Sequence, residues 1–162
     1  MTADNPGFFC LASACLCGVS CRYDGRASTV EELAKLHEEN RILAICPEVD
    51  GGLPVPRPPC ELRNGRAVTR EGMDVTDQFQ AGAALALKLA RAHGIRVAVL
   101  KENSPSCGGA MVYDGTFSGR RVPGRGITAD MLLRHGIRIV SEHTFQEAFR
   151  ELLREKNKGS AD

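Results

Sequence analysis

What the 162-residue sequence lacks narrows its class before any motif is read. It has no surplus of charge: 21 basic residues stand against 20 acidic ones, a net of +1. There is thus no strong electrostatic signal for nucleic acid and no polybasic patch for a membrane surface. It has no apolar run long enough to span a bilayer. Its start, Met1-Thr-Ala-Asp-Asn-Pro-Gly7, has neither the basic end nor the long apolar centre of a secretion signal. A cytoplasmic protein is expected. No repeat, low-complexity segment or shift in composition divides the chain, so one domain over 1–162 is expected, with a polar tail from about Lys156. Paired Cys-x2-Cys knuckles are also missing, which leaves little support for a zinc ribbon.

What the sequence does have is seven cysteines, many for this length. In a reducing compartment they point to metal binding or catalysis rather than disulfides, and an odd number excludes complete internal pairing. Some of them are expected simply to pack as small apolar side chains.

The hydrophobic pattern alternates short apolar runs with amphipathic stretches, as in an α/β domain with a central, mainly parallel sheet of about four strands. The runs at 8–14, 41–45, 96–100 and 137–140 are the expected strands. Ser28 or Thr29 is expected to cap a first helix that Asn40 closes, and Asp74 to open the longest helix, ended by His93-Gly94. Thr128 is expected to cap another helix through His135, and residues 145–153 to form the last. Asn64-Gly65 and Asp114-Gly115 mark two small hairpin excursions, the second over Met111–Phe117. Between Cys46 and Cys60 stand five of the eight prolines, giving a stiff loop suited to positioning groups. Arg57 within it is placed to meet an anion or close over a ligand. The arginines of the 119–126 loop have the same option, although such a cluster is more often a solvated face.

Three cysteines stand out by position. Cys15, Cys46 and Cys107 each follow a different predicted parallel strand, and open parallel sheets bind ligands beyond their carboxyl ends. Neighbouring strands lie about 4.8 Å apart, so thiols from adjacent strand ends meet across several ångströms. A single zinc needs its sulfurs closer together than an iron–sulfur cluster does; spacing alone leaves both open. If the three thiols hold a cubane, one iron has no protein thiolate, and an open position is the mark of a catalytic metal. Glu48 and Ser104 flank these cysteines and supply a carboxyl and a hydroxyl for proton transfer and positioning. A persulfide-carrying Cys107 in a sulfurtransferase, and a zinc-stabilised binding module, are the rival readings.

The motifs Ser13-Ala-Cys15-Leu, Cys21-Arg-Tyr-Asp-Gly25, Cys46-Pro-Glu-Val49, Gly51-Gly-Leu-Pro-Val-Pro-Arg-Pro-Pro59, Asp74-Val-Thr76 and Lys101-Glu-Asn-Ser-Pro-Ser-Cys-Gly108 together resemble the thiouracil desulfidase family. The resemblance covers nearly the whole chain. It implies a Rossmann-like three-layer domain and a [4Fe-4S] cluster with one iron not ligated by protein. It also implies Cys15, Cys46 and Cys107 as ligands, with Glu48 and Ser104 as the catalytic pair. The implied reaction exchanges the sulfur of a thiolated nucleobase or nucleoside, such as 2-thiouracil, for oxygen from water, without redox change, and releases hydrogen sulfide. Cys17 and Cys60 stand where the family pattern allows plain apolar or small residues, and Cys17 is a possible competitor for the metal.

Overall fold

The computed structural model describes residues 7–159; residues 1–6, where no secretion signal is expected, and 160–162, the end of the expected polar tail, lie outside the described residues. The chain runs through β1 (Cys10–Ser13), a 3-10 turn (Ala14–Cys17), α1 (Glu31–Glu38), β2 (Ile42–Ile45), α2 (Pro47–Asp50), β3 (Cys60–Arg63) and β4 (Arg66–Thr69). It continues through α3 (Thr76–Ala92), β5 (Val97–Val99), β6 (Met111–Tyr113), β7 (Arg121–Pro123), α4 (Ile127–Arg134), β8 (Arg138–Val140) and α5 (Phe145–Gly159).

Four strands form one sheet in the order β2-β1-β5-β8, every neighbouring pair parallel. Side chains alternate faces along a strand, and that alternation divides the core in two. Cys10, Ala12, Val97 and Val99 pack with Leu33 of α1 and with Phe145 and Phe149 of α5. Leu11 and Ala98 pack with Ala86 and Ala90 of α3 and Leu132 of α4. The result is the expected three-layer arrangement, helices on both faces of a parallel sheet. Phe145 is fully buried and meets Phe149 edge-on at 5.1 Å, which in turn meets Phe9 at 4.8 Å. Burying one such ring contributes about 1.5–3 kcal/mol, enough to seat the closing helix.

Several local expectations need correction. The first strand is shorter than 8–14, because the chain tightens into a 3-10 turn whose last amide, on left-handed Gly18 (φ 97°), donates to the Ala14 carbonyl. Neither Ser28 nor Thr29 caps α1; Val30 stands at that position. The Ser28 hydroxyl is instead taken by Arg22 Nη1 at 2.7 Å, and the Ser28 and Val30 amides donate to the Cys15 and Leu16 carbonyls. Thr128 lies inside the first turn of α4 rather than at its cap, with its hydroxyl 2.8 Å from that of Ser106. The hairpin expected within 111–117 is wider: Met111–Tyr113 pairs with Arg121–Pro123. Gly115 does not turn the chain back because it is tied to β3. Its amide and that of Phe117 donate to Glu61 Oε1, and its carbonyl accepts from Arg63. The last helix reaches Gly159, well past the expected residue 153.

Candidate active site

The sheet order reverses at β1: the first crossover adds β2 on one side, and β5 and β8 build on the other. The crevice beyond the carboxyl ends of β1 and β5 is where such sheets receive ligands. Here the Ser13 hydroxyl, at the end of β1, accepts the Lys101 amide at 2.9 Å and ties the two strand ends together. Beside them lies a cavity of about 370 Å³. Cys15, Cys46, Cys107, Glu48 and Ser104 all line it, so the five residues nominated from the sequence are brought to one place. Cys21 and Cys60 line it too.

Cys46 opens α2, and Pro47 takes the first helical position, where its missing N–H costs nothing. The turn is pressed against α3. A Cβ on Gly82 would stand 1.8 Å from the Pro47 carbonyl oxygen, so only glycine permits this approach. One residue further, Glu48 meets Arg57, Nε to Oε1 at 3.1 Å. Arg57 is 8 % exposed, and its other nitrogens donate to the Pro54 and Cys21 carbonyls at 3.1 and 2.9 Å. The anion that Arg57 meets is therefore the protein's own carboxylate. Burial raises the Glu48 pKa and Arg57 opposes it, with the net shift upward. A carboxyl whose proton affinity is raised in this way suits proton exchange.

The loop 101–109 is held differently. Glu102 Oε1 accepts amides from Gly109, Ala110 and Met111 at 3.0–3.1 Å and from Asn103 at 3.4 Å. Burial would raise the Glu102 pKa, but these four donors bring it below the ordinary glutamate value. Glu142 accepts the Glu102 amide at 2.8 Å and pairs with Lys101 at 3.0 Å. From the other side, the first amides of α4, otherwise without helical partners, donate to the Pro105 and Ser106 carbonyls. Ser104 does begin a turn. Its hydroxyl accepts the Ser106 and Cys107 amides at 3.1 and 3.0 Å and retains its own proton to donate.

Sequence reasoning missed Ser13, Glu102 and Asn103, and left Cys21 without a role. The signal for Glu102 was an acid directly ahead of a Ser- and Gly-rich loop, where free amides gather. Cys21 lay within a quoted motif; only folding brings it to the cavity wall, where its carbonyl accepts from the Cys46 thiol at 3.6 Å and from Arg57 Nη2 at 2.9 Å. Cys17 does not compete for the cavity, because it packs in the core near Cys10 and Cys21. The 119–126 arginines are exposed, Arg125 pairing with Asp130, which is the solvated face.

The donors suit a thiophilic group. Five cysteines and no histidine or aspartate are among the cavity's lining residues. Soft thiolates select iron–sulfur clusters and other thiophilic metals. Among the described residues, no group of three His, Cys, Asp or Glu side chains closes tightly enough for a single ion. Burial pushes the Cys107 thiol up to about 12, with the Ser13 and Ser106 hydroxyls working against it.

The model of the 2-thiouracil desulfurase family matches residues 10–144, a span that includes all three cysteines, Glu48 and Ser104. The chain belongs to that family. An uncharacterized protein of Bacillus subtilis (strain 168), YbbK, is 40% identical over 147 residues, covering 85% of this chain and 97% of its own. A solved structure titled [4Fe-4S]-dependent thiouracil desulfidase TudS superposes with a TM-score of 0.82 at 48% identity, covering 86% of this chain and 94% of that one. In this family member, the features that build the cavity are the reversal of strand order, the glycine approach at Pro47 and the Glu102-folded loop. Among the described residues, no helix is long and apolar enough to cross a membrane.

Proposed function

We propose that this chain is an iron–sulfur-dependent desulfidase that converts a thiolated pyrimidine base such as 2-thiouracil to its oxo form, with water as co-substrate and hydrogen sulfide as product. The observation that carries the reading is the convergence of Cys15, Cys46 and Cys107 on one cavity beside Glu48 and Ser104. Family membership and the 48% identical [4Fe-4S]-dependent neighbour support it.

Cys15, Cys46 and Cys107 would hold a [4Fe-4S] cluster, three thiolates leaving one iron without a protein ligand. When bound, the cluster supplies a soft Lewis acid matched to sulfur. The protein does the remainder. Arg57 fixes the Glu48 carboxyl at the cavity wall, where it takes a proton from water as oxygen adds to carbon and returns one to the departing sulfide. The Ser104 hydroxyl, anchored through two amides, donates its hydrogen toward the reacting carbon's substituents and orients the ring.

Anaerobically purified protein tests this. Iron and acid-labile sulfide are expected at about four each per chain. Cys15→Ser, Cys46→Ser and Cys107→Ser should each lose iron, whereas Cys10→Ser should keep it. Glu48→Ala should retain iron and lose sulfide release from 2-thiouracil. Stoichiometric zinc without iron, or full turnover in Glu48→Ala, would overturn the assignment.

A further inference from the structure

Five of the six phenylalanines pack into the apolar clusters of the core; Phe117 belongs to none of them. It stands instead half-buried on the cavity wall. Its backbone is left-handed, φ 57°, a conformation that bulky side chains adopt rarely and at a cost. Such strain persists only where the surroundings impose it. They do so here. Glu61, on β3 and 9 % exposed, accepts the Gly115 and Phe117 amides at 3.0 and 3.1 Å. Arg63 holds the Gly115 carbonyl, and a Cβ on Gly115 would stand 2.7 Å from the Leu62 carbonyl oxygen. The neighbouring Thr116 and Ser118 are exposed, and of these three only Phe117 lines the cavity. Arg70, also on the cavity wall, sets its guanidinium over the ring, 5.6 Å from the centroid, and braces it from one side. A strained and pinned phenylalanine with no place in the core serves a ligand rather than packing.

We infer that Phe117 is a specificity-determining residue: its ring stacks on the heterocycle that carries the thiocarbonyl. This rests on the desulfuration reading and narrows its substrate class. Stacking takes a flat, conjugated partner, and every nucleobase has such a face. The substrates are therefore planar, unsaturated thiocarbonyl rings. Saturated rings bearing the same C=S, N–H and C=O groups pucker, cannot lie flush on the phenyl face, and are held less well.

The test is made in iron-loaded Glu48→Ala protein, so that turnover does not consume the ligand. Calorimetry measures Kd for 2-thiouracil and for 5,6-dihydro-2-thiouracil, which carries the same polar groups on a puckered ring. Phe117→Gly is then added, because glycine keeps the left-handed backbone and the amide held by Glu61 and removes only the phenyl ring. With Phe117 in place, saturation should weaken binding about tenfold, within what one aromatic side chain contributes to holding a base. With Phe117→Gly, Kd for 2-thiouracil should rise about tenfold and the two ligands should bind within about twofold of each other. Phe117→Tyr should keep the preference for the flat ring. Iron content and melting temperature should hold; where the glycine variant loses either, Phe117→Leu, bulky but without a π face, decides, and it too should lose the preference. A preference that survives in the variant that decides overturns the inference. So does protein that, with Phe117 in place, is indifferent to saturation or does not bind 2-thiouracil. Selective binding without sulfide release from the chain bearing Glu48 sinks the desulfuration reading alone, since the binding comparison still decides the role of Phe117.

Discussion

Two loops bring chemistry to the same cavity, and they are held there by opposite means. The Cys46–Glu48 turn is fixed by shape and one buried ion pair: α3 approaches its backbone at Gly82, and Arg57 clamps its carboxylate. The 101–109 loop has no comparable wall. A single carboxylate, Glu102, gathers its amides, and the start of α4 takes up its carbonyls. The first loop presents a carboxyl whose proton affinity is raised by burial, the second a hydroxyl that does not titrate. The contrast teaches that Glu48, the group proposed to exchange protons, sits in the half held by close packing and burial. Ser104, proposed to orient the substrate, sits in the half built from hydrogen bonds.

The comparison can be broken most forcefully at Gly82. Gly82→Ala places a methyl 1.8 Å from the Pro47 oxygen, and the backbone of either α2 or α3 must shift. We expect a loss of about 3 kcal/mol, or roughly 6–12 °C in melting temperature, by thermal unfolding. A melt within a degree of wild type would show that the turn is not held by shape.

Arg57→Met comes next. It leaves Glu48 buried without its cation, and stability should fall by about 3 kcal/mol in denaturant titrations at neutral pH. Adding Glu48→Gln should recover more than half, because the penalty is the orphaned charge rather than the lost pair. Equal stability of the single and double variants would contradict that cause. Arg57→Lys should rescue poorly, as one ammonium cannot reach Glu48, Pro54 and Cys21 together.

The second loop should respond to pH instead. The folded Glu102 pKa lies below its ordinary value of 4.5, so its contribution is present above that pH and is lost as the pH falls through the folded pKa. Glu102→Gln should therefore be destabilised at pH 7, by about 1–2 kcal/mol, and converge on wild type as the pH falls through the folded pKa. A constant gap across that range would assign the effect to packing. The smallest effect is expected at Cys17→Ser: iron content unchanged, with a modest loss of stability from burying a hydroxyl in the core.

Much of this was legible in residue order. Short apolar runs and period-3.6 patterns locate the four sheet strands and four of the five helices, α2 having been read as part of a proline-rich loop. Left-handed Asn40, Gly94 and Gly136 end their helices as their residue types suggest. Capping was less legible: Ser28 and Thr128 have the right chemistry, yet each hydroxyl finds a partner distant in sequence, Arg22 and Ser106. The Asp114-Gly115 turn failed for the same reason, since Glu61 and Arg63 hold it from another strand.

For the site, strand-end position was enough to single out Cys15, Cys46, Cys107, Glu48 and Ser104, because a parallel sheet sends every strand's carboxyl end to the same edge. Residue order could not say that Arg57 spends its charge on Glu48, that the Cys21 carbonyl comes to rest against the Cys46 thiol, or that Asn103 Oδ1 is buried without a partner. Those facts depend on which side chains become neighbours once water is removed. Burial and partnership are properties of the packed chain, and no local stretch encodes them.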